Sequence, residues 1–322
     1  MDPLPQVAGR PMVTDGGLET DLIFNHGVEL REFAAYPLLD DATGRGLLTT
    51  YYDAYASVAA RAGAGLLLES PTWRANPDWG ARLGHTPSDL ARADTDAIDL
   101  LRGLGRRFAD EHGLRDVAVV GVVGPRGDGY RSAGAPSPAE AADYHRAQVA
   151  AFAEAGADLV TAYTLTTAGE AVGISQACRG LELPVAISFT VEVDGRLPDG
   201  STLAAAIATV DEQAAPDYYL VNCAHPEHVL AALSTDGGDD GIDWRSRMLG
   251  LRYNASTRSH AELDQADDLD AGDLDAISAG HDRVVGRLPG VTVVGGCCGT
   301  DASHVARLWG VGRDLGGDAP TT

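Results

Sequence analysis

Eight short apolar runs, separated by stretches with helical periodicity, constrain this chain more than any other feature of its sequence. They lie at Met12–Thr14, Gly65–Glu69, Val117–Val122, Leu159–Tyr163, Val185–Phe189, Tyr218–Val221, Leu249–Tyr253 and Val291–Val294. Between them, segments such as Tyr51–Arg61, Ala139–Ala155 and Leu203–Ala214 carry apolar residues at helical spacing. Strand–helix alternation implies βαβ units and a parallel sheet. Eight such units in 322 residues favour a closed barrel over an open doubly wound sheet. The expected fold class is therefore α/β, a single (β/α)₈ TIM barrel over residues 1–315, with residues 316–322 as a disordered tail.

Local signals agree with that count. Ala62-Gly63-Ala64-Gly65-Leu66 and Ala155-Gly156-Ala157-Asp158-Leu159 read as one device used twice: a helix ends, a glycine turns the chain, and a strand begins. Ser137-Pro138-Ala139-Glu140 reads as a capping box with proline in the first helical turn. No linker divides the chain, and the acidic stretches Ser234–Asp243 and Glu262–Asp275 are expected to be solvated insertions.

Composition removes several functions. Hydrophobic residues make up 44% of the chain, enough for a large core without disulfide staples. No run is apolar for long enough to cross a membrane, and the N-terminal residues lack a signal-peptide pattern, so a cytoplasmic location is expected. The net charge is −23, which would repel nucleic acid and anionic membranes. All 24 basic residues are arginine. Without lysine the chain cannot build a Schiff-base aldolase, a pyridoxal-phosphate enzyme or a P-loop NTPase.

Barrel enzymes carry their chemistry at the C-terminal ends of the strands. Those ends deliver Asp15-Gly16-Gly17, Glu69-Ser70-Pro71-Thr72, Gly124-Pro125, Tyr163-Thr164, Asn222-Cys223 and Gly295-Gly296-Cys297-Cys298. Strands six and eight thus bring Cys223, Cys297 and Cys298 to one rim. Adjacent cysteines make poor disulfides, but flanking glycines let both turn toward one ion. Three thiolates suit zinc and leave a fourth tetrahedral position open, as in a catalytic site. Buried inert cysteines or a redox pair are the other readings. Cys178, alone in a helical segment, reads as core. Asp15 can pair with an α-ammonium group or cap a turn, and Gly16 and Gly17 let the backbone approach a ligand closely. Asn222 can orient groups at the site or hold a turn.

The chain resembles the homocysteine S-methyltransferase family over almost its whole length. The resemblance rests on Asp15-Gly16-Gly17-Leu18-Glu19-Thr20, Gly121-Val122-Val123-Gly124-Pro125 and Ala155-Gly156-Ala157-Asp158-Leu159. It continues through Ser188-Phe189, Asp199-Gly200-Ser201-Thr202-Leu203, Asn222-Cys223 and Gly295-Gly296-Cys297-Cys298-Gly299-Thr300. It implies that Cys223, Cys297 and Cys298 bind Zn²⁺, that a substrate thiolate completes the tetrahedron, and that the Asp15 loop holds the amino-acid substrate. The implied acceptor is L-homocysteine, giving methionine. With no room for a folate- or corrinoid-binding domain, the implied donor is a small onium compound, S-methylmethionine or S-adenosylmethionine, with a betaine as a further possibility.

Two departures stand out. Tyr163, followed by Thr164, occupies the place where the family carries a glutamate contacting the homocysteine amino group. Arg252-Tyr253-Asn254-Ala255 replaces Tyr-Pro-Asn, and Arg252 can either reach a substrate carboxylate or face outward. The alternatives are accordingly a related zinc barrel methylating another thiol or selenol, or a non-catalytic barrel that binds zinc and a thiol. Trp73 and Trp79 are candidates for a donor pocket. Glu170 is expected to be structural, and His225 and His304 to sit on helices rather than on a metal.

Overall fold

The computed structural model describes residues 3–132, 134–235, 244–263 and 268–312. Eight parallel strands close into a barrel in sequence order. They are β1 (Met12–Val13), β2 (Gly65–Glu69), β3 (Val117–Val123), β4 (Leu159–Leu165), β5 (Val185–Phe189), β6 (Tyr218–Ala224), β7 (Met248–Tyr253) and β8 (Val293–Gly296). Closure runs through β1, where Met12 pairs with Gly65 on one side and with Val293 on the other.

The helices among the described residues are α1 (Leu18–Thr20), α2 (Ala42–Ala62), α3 (Pro77–Leu83), α4 (Pro87–His112), α5 (Pro138–Ala155) and α6 (Ala168–Arg179). They continue with α7 (Leu203–Ala214), α8 (Pro226–Thr235), α9 (His260–Leu263), α10 (Leu274–Val285) and α11 (Ala302–Leu308). The strand–helix alternation expected from the sequence is therefore the architecture, a (β/α)₈ TIM barrel.

The apolar runs are continuous because each strand is buried on both faces. On β2, Leu67 points into the barrel beside Met12, Val120 and Leu220. Leu66 and Leu68 point outward into the core under the helices. Each such side chain contributes about 1.5–3 kcal/mol when fully buried. Gly63 and Gly156 end α2 and α5 in the left-handed conformation, at φ 63° and 80°, which only glycine adopts without strain. The Ser137–Glu140 capping box is formed at the start of α5.

Strand ends differ from the sequence reading at the rim. β4 and β6 extend to Leu165 and Ala224, with register shifts between Ala162 and Leu165 and between Asn222 and Ala224. β8 begins at Val293 instead of Val291. The expected insertions also differ. Ser234 and Thr235 finish α8, and residues 236–243 lie outside the described residues. In the second stretch, Glu262 and Leu263 belong to α9, while Leu269 and Asp270 line a cleft at the rim instead of standing free in solvent. Residues 313–322, including the expected tail, lie outside the described residues.

Candidate metal and substrate site

At the C-terminal rim, the Sγ atoms of Cys223, Cys297 and Cys298 lie within 4.8 Å of one another. Cys223 comes from the end of β6, and the vicinal pair follows β8. The loop carrying the pair is tied down on both sides. Cys297 N donates to Tyr253 O at 2.7 Å, Ala255 N donates to Cys298 O at 3.1 Å, and Gly17 N donates to Thr300 O at 3.0 Å. Gly17 is needed for that last contact, because a Cβ there would sit 2.5 Å from the Cys297 carbonyl oxygen. What the glycines after β1 approach closely is therefore the cysteine loop and, at Gly16, the Tyr55 hydroxyl. Both still line the cavity beside the cysteines.

On the barrel strands themselves, two residues at this rim hold a left-handed backbone without being glycine: Thr164 on β4 at φ 61° and Cys223 on β6 at φ 52°. Such conformations cost of order 1–3 kcal/mol and need support from their surroundings. Asn222 supplies it. Its Oδ1 accepts from Thr164 N at 2.9 Å and from Ser188 Oγ at 2.7 Å. Its Nδ2 donates to Thr164 Oγ1 at 2.9 Å and reaches Cys297 Sγ at 3.8 Å. One buried amide thus couples the bulges of β4 and β6 to the vicinal cysteines. Asn254 Nδ2 donates to Cys223 Sγ at 3.6 Å, and the Tyr130 hydroxyl lies 3.2 Å from the same sulfur and 3.8 Å from Cys298 Sγ. Tyr130 is stacked on His260 at 4.1 Å, and His260 Nε2 donates to the Cys223 carbonyl at 2.8 Å while Nδ1 meets Glu192 at 2.8 Å.

Hydrogen bonds from the Cys297 and Cys298 thiols, against the opposing effect of burial, push the Cys223 thiol well below its ordinary range. Cys297 and Cys298 move the other way, chiefly through their coupling to Cys223. One thiolate forms readily; three so close repel one another unless a cation joins them. The donor set of three soft sulfur atoms suits zinc. One other group among the described residues could hold a metal, Asp53, Glu111 and His112. Arg107 already pairs with both of its carboxylates.

Below the cysteines a cavity opens to solvent. Its floor is a charged network. Arg252 Nε donates to Gly296 O at 2.8 Å and Nη2 to Gly16 O at 2.9 Å. Its two terminal nitrogens also pair with Glu69 and Asp15. The Tyr163 hydroxyl donates to the other Glu69 oxygen, and the Arg252 guanidinium lies 4.7 Å over the Tyr163 ring. Burial raises Asp15 well above the usual carboxylate range; Arg252 opposes this and Glu69 adds to it. Burial keeps Tyr163 neutral, as a donor. Glu19, from α1, also lines the cavity and is raised by burial.

The residues singled out from the sequence therefore converge: Asp15, Gly16, Gly17, Tyr163, Thr164, Asn222, Cys297 and Cys298 all line this cavity, with Cys223 buried beside it. Arg252 faces inward. Trp73 lines the cavity, whereas Trp79 does not and stacks on Arg74 and Arg82. His225 precedes α8 and accepts from Glu227 N, His304 lies on α11, Cys178 is buried in α6, and Glu170 bonds His145 and Arg126 N. Sequence reasoning did not assign Glu69, Tyr130, His260 or Asn254. Glu69 had a signal in its place at a strand end, and Asn254 in the Arg252–Ala255 stretch that departs from the family pattern. Tyr130 stands in a loop and His260 opens α9, where no pattern marks them.

The family model described as homocysteine S-methyltransferase matches residues 12–310. Among solved structures the chain is similar to the homocysteine methyltransferase MmuM from Escherichia coli. The oxidized form shares 22% identity at a TM-score of 0.69, covering 92% of this chain and 94% of that one. The metallated form shares 22% identity at 0.68, covering 94% and 96%. No curated protein sequence matches the chain.

Proposed function

The chain belongs to the homocysteine S-methyltransferase family, a family of methyltransferases, and from that premise we propose that it moves a methyl group from a small onium donor to the thiol of L-homocysteine, giving methionine, with Zn²⁺ held by Cys223, Cys297 and Cys298. The observation that carries this reading is the juxtaposition of three thiols within 4.8 Å with a cavity whose floor holds both carboxylates and a guanidinium. An amino acid carries the complementary pair of charges. Asp15, Glu69 and Glu19 suit its ammonium group, and Arg252 its carboxylate.

Zn²⁺ bound there supplies a deprotonated acceptor thiol at neutral pH and holds it in place. In the transfer, a sulfur lone pair forms the new S–CH₃ bond as the bond from that methyl to the donor's onium atom breaks. The bonding pair leaves with the donor, which loses its positive charge, and the thiol proton goes to solvent. Phe33, Trp73 and Tyr130 line the same cavity, and aromatic faces favour an onium cation. Asn222 keeps Thr164, Cys223 and Cys297 in register and acts as a positioning residue.

A related reading is favoured by one observation. Arg252 already sits between Asp15 and Glu69, so an acceptor thiol with a carboxylate and no ammonium group also suits the pocket. The test is zinc content of the purified protein, X-ray absorption at the metal, and methyl transfer with both acceptor types. One zinc per chain that gains a sulfur ligand on adding L-homocysteine, with methionine as product, supports the main reading. Zinc that responds only to a mercapto acid supports the second. Folded, reduced protein that binds no zinc removes both.

A further inference from the structure

The donor must reach the thiols from outside, and the cavity continues outward into a second cleft. The two spaces share Phe33, Trp73, Tyr130 and Cys298, so a molecule in the outer cleft meets the thiol cluster at its Cys298 edge. Three of these four are aromatic, and Phe24 adds a fourth ring.

One arginine, Arg74, lines this cleft. Its guanidinium carbon lies 4.1 Å from the Trp73 ring centroid and 3.7 Å from that of Trp79, so the group is held between two indoles. Its Nε and Nη1 are buried with no hydrogen-bond partner. It pairs with no carboxylate among the described residues. Asp128 and Glu19 are near enough to favour its charge, yet burial outweighs them and pulls the group down to about 10. Arg252, more deeply buried in the rim, shows the contrast: two carboxylates and two carbonyls receive its protons. Guanidinium nitrogens shut away from water without a partner are costly unless an anion arrives to pair with the group.

The charge also restricts what can bind. A donor whose onium centre comes with a negative group gains an ion pair with Arg74 that a bare onium cation lacks. We infer that Arg74 is the carboxylate anchor of the donor subsite, the residue by which this chain prefers an onium donor that bears its own carboxylate. Its onium centre lies against the aromatic walls, and its carboxylate pairs with Arg74. Asp270, also on the cleft wall, is held by Ser256 Oγ at 2.7 Å and Arg258 at 3.6 Å, and so does not neutralise Arg74. This inference rests on the methyl-transfer reading but concerns binding of the donor alone.

Two of the four tryptophans bracket Arg74, so tryptophan fluorescence reports on the subsite. Protein as purified is titrated, without acceptor, with S-methylmethionine and with trimethylsulfonium, a sulfonium that lacks the carboxylate. The expected result is at least ten-fold tighter binding of S-methylmethionine. Arg74→Gln abolishes that preference, with trimethylsulfonium bound as before, and Arg74→Lys keeps part of it. Wild-type protein that binds both compounds equally, or neither, overturns the inference. So does an Arg74→Gln variant that weakens both by the same factor, which is the mark of a packing role. Because no acceptor is present, failure of homocysteine as acceptor does not change this readout.

Discussion

Replacing Arg252 by methionine keeps a long, flexible side chain and deletes the charge that holds Asp15 and Glu69 together. Both carboxylates are deeply buried, at 5% and 3% exposure, and their ion pairs in the network run to Arg252. Removing one partner of a buried ion pair costs about 3–5 kcal/mol, because the remaining charge is left uncompensated. Unfolding entropy of about 2.1 cal/mol/K per residue, over roughly 300 ordered residues, converts that to a fall in Tm of about 5–8 °C. The loss depends on pH. Without Arg252 its opposition to the burial that raises Asp15 is gone, so the folded Asp15 pKa lies further above its unfolded one and the folded state binds more protons than the unfolded state between those values. Stability then falls as pH rises through that window. The deficit of Arg252→Met is therefore largest at neutral pH and shrinks as pH falls toward the unfolded carboxyl range near ~4. Asp15, already raised by burial in the wild type, takes up its proton first as pH falls. Urea unfolding of wild type, Arg252→Met and the Arg252→Met/Glu69→Gln double variant, between pH 4.5 and 8, measures this. The double variant is expected to recover part of the loss. A cost below about 1 kcal/mol at pH 7.5, or a deficit that does not vary with pH, would refute the argument that the network is a buried, mutually compensating charge set.

Serine at Cys223, Cys297 or Cys298 is expected to remove bound zinc, measured by metal analysis, while Cys178→Ser leaves it in place because Cys178 is buried in α6 away from the rim. Tyr163→Phe deletes the hydroxyl that donates to Glu69; it should raise the acceptor KM about ten-fold with little change in kcat, and a purely kcat effect would count against a role in holding the acceptor. Asp301 caps α11 by accepting from Ser303 N and His304 N. Asp301→Ala should cost about 0.5–2 kcal/mol at pH 7. Burial opposes its charge but His304 outweighs this and lowers it to about 2. The cap's contribution is thus present above the unfolded carboxyl range and lost as pH falls through about 2. Denaturant unfolding at pH 7 and pH 2.5 checks both the cost and its convergence.

Where the sequence reading succeeded, the controlling physics was local. A strand buried on both faces must be apolar throughout, so β2 and β5 could be delimited to the residue. Left-handed glycines at Gly63 and Gly156 and the capping box at Ser137 mark helix ends by backbone chemistry that does not depend on the rest of the fold. The three cysteines were legible for a related reason: once eight strands close in order, the ends of β6 and β8 stand one strand apart on the same rim.

The lower half of the site was not legible in that way. Arg252 could have faced either side of its strand. The parity of side chains at the rim depends on the bulges at Thr164 and Cys223, residue types with no preference for positive φ. Glu69 was visible as a strand end, but its partnership with Tyr163 and Arg252 joins β2, β4 and β7 across the barrel. Tyr130 reaches the thiols from a loop, and His260 reaches the Cys223 carbonyl from the short helix α9, in stretches whose sequences carry no periodicity. The sequence by itself determined the barrel, the position of its strands and the thiol set, because periodicity and capping act over a few neighbouring residues. Only the closed tertiary structure decided which charges meet beneath those thiols, because that depends on side chains brought together from strands up to 237 residues apart.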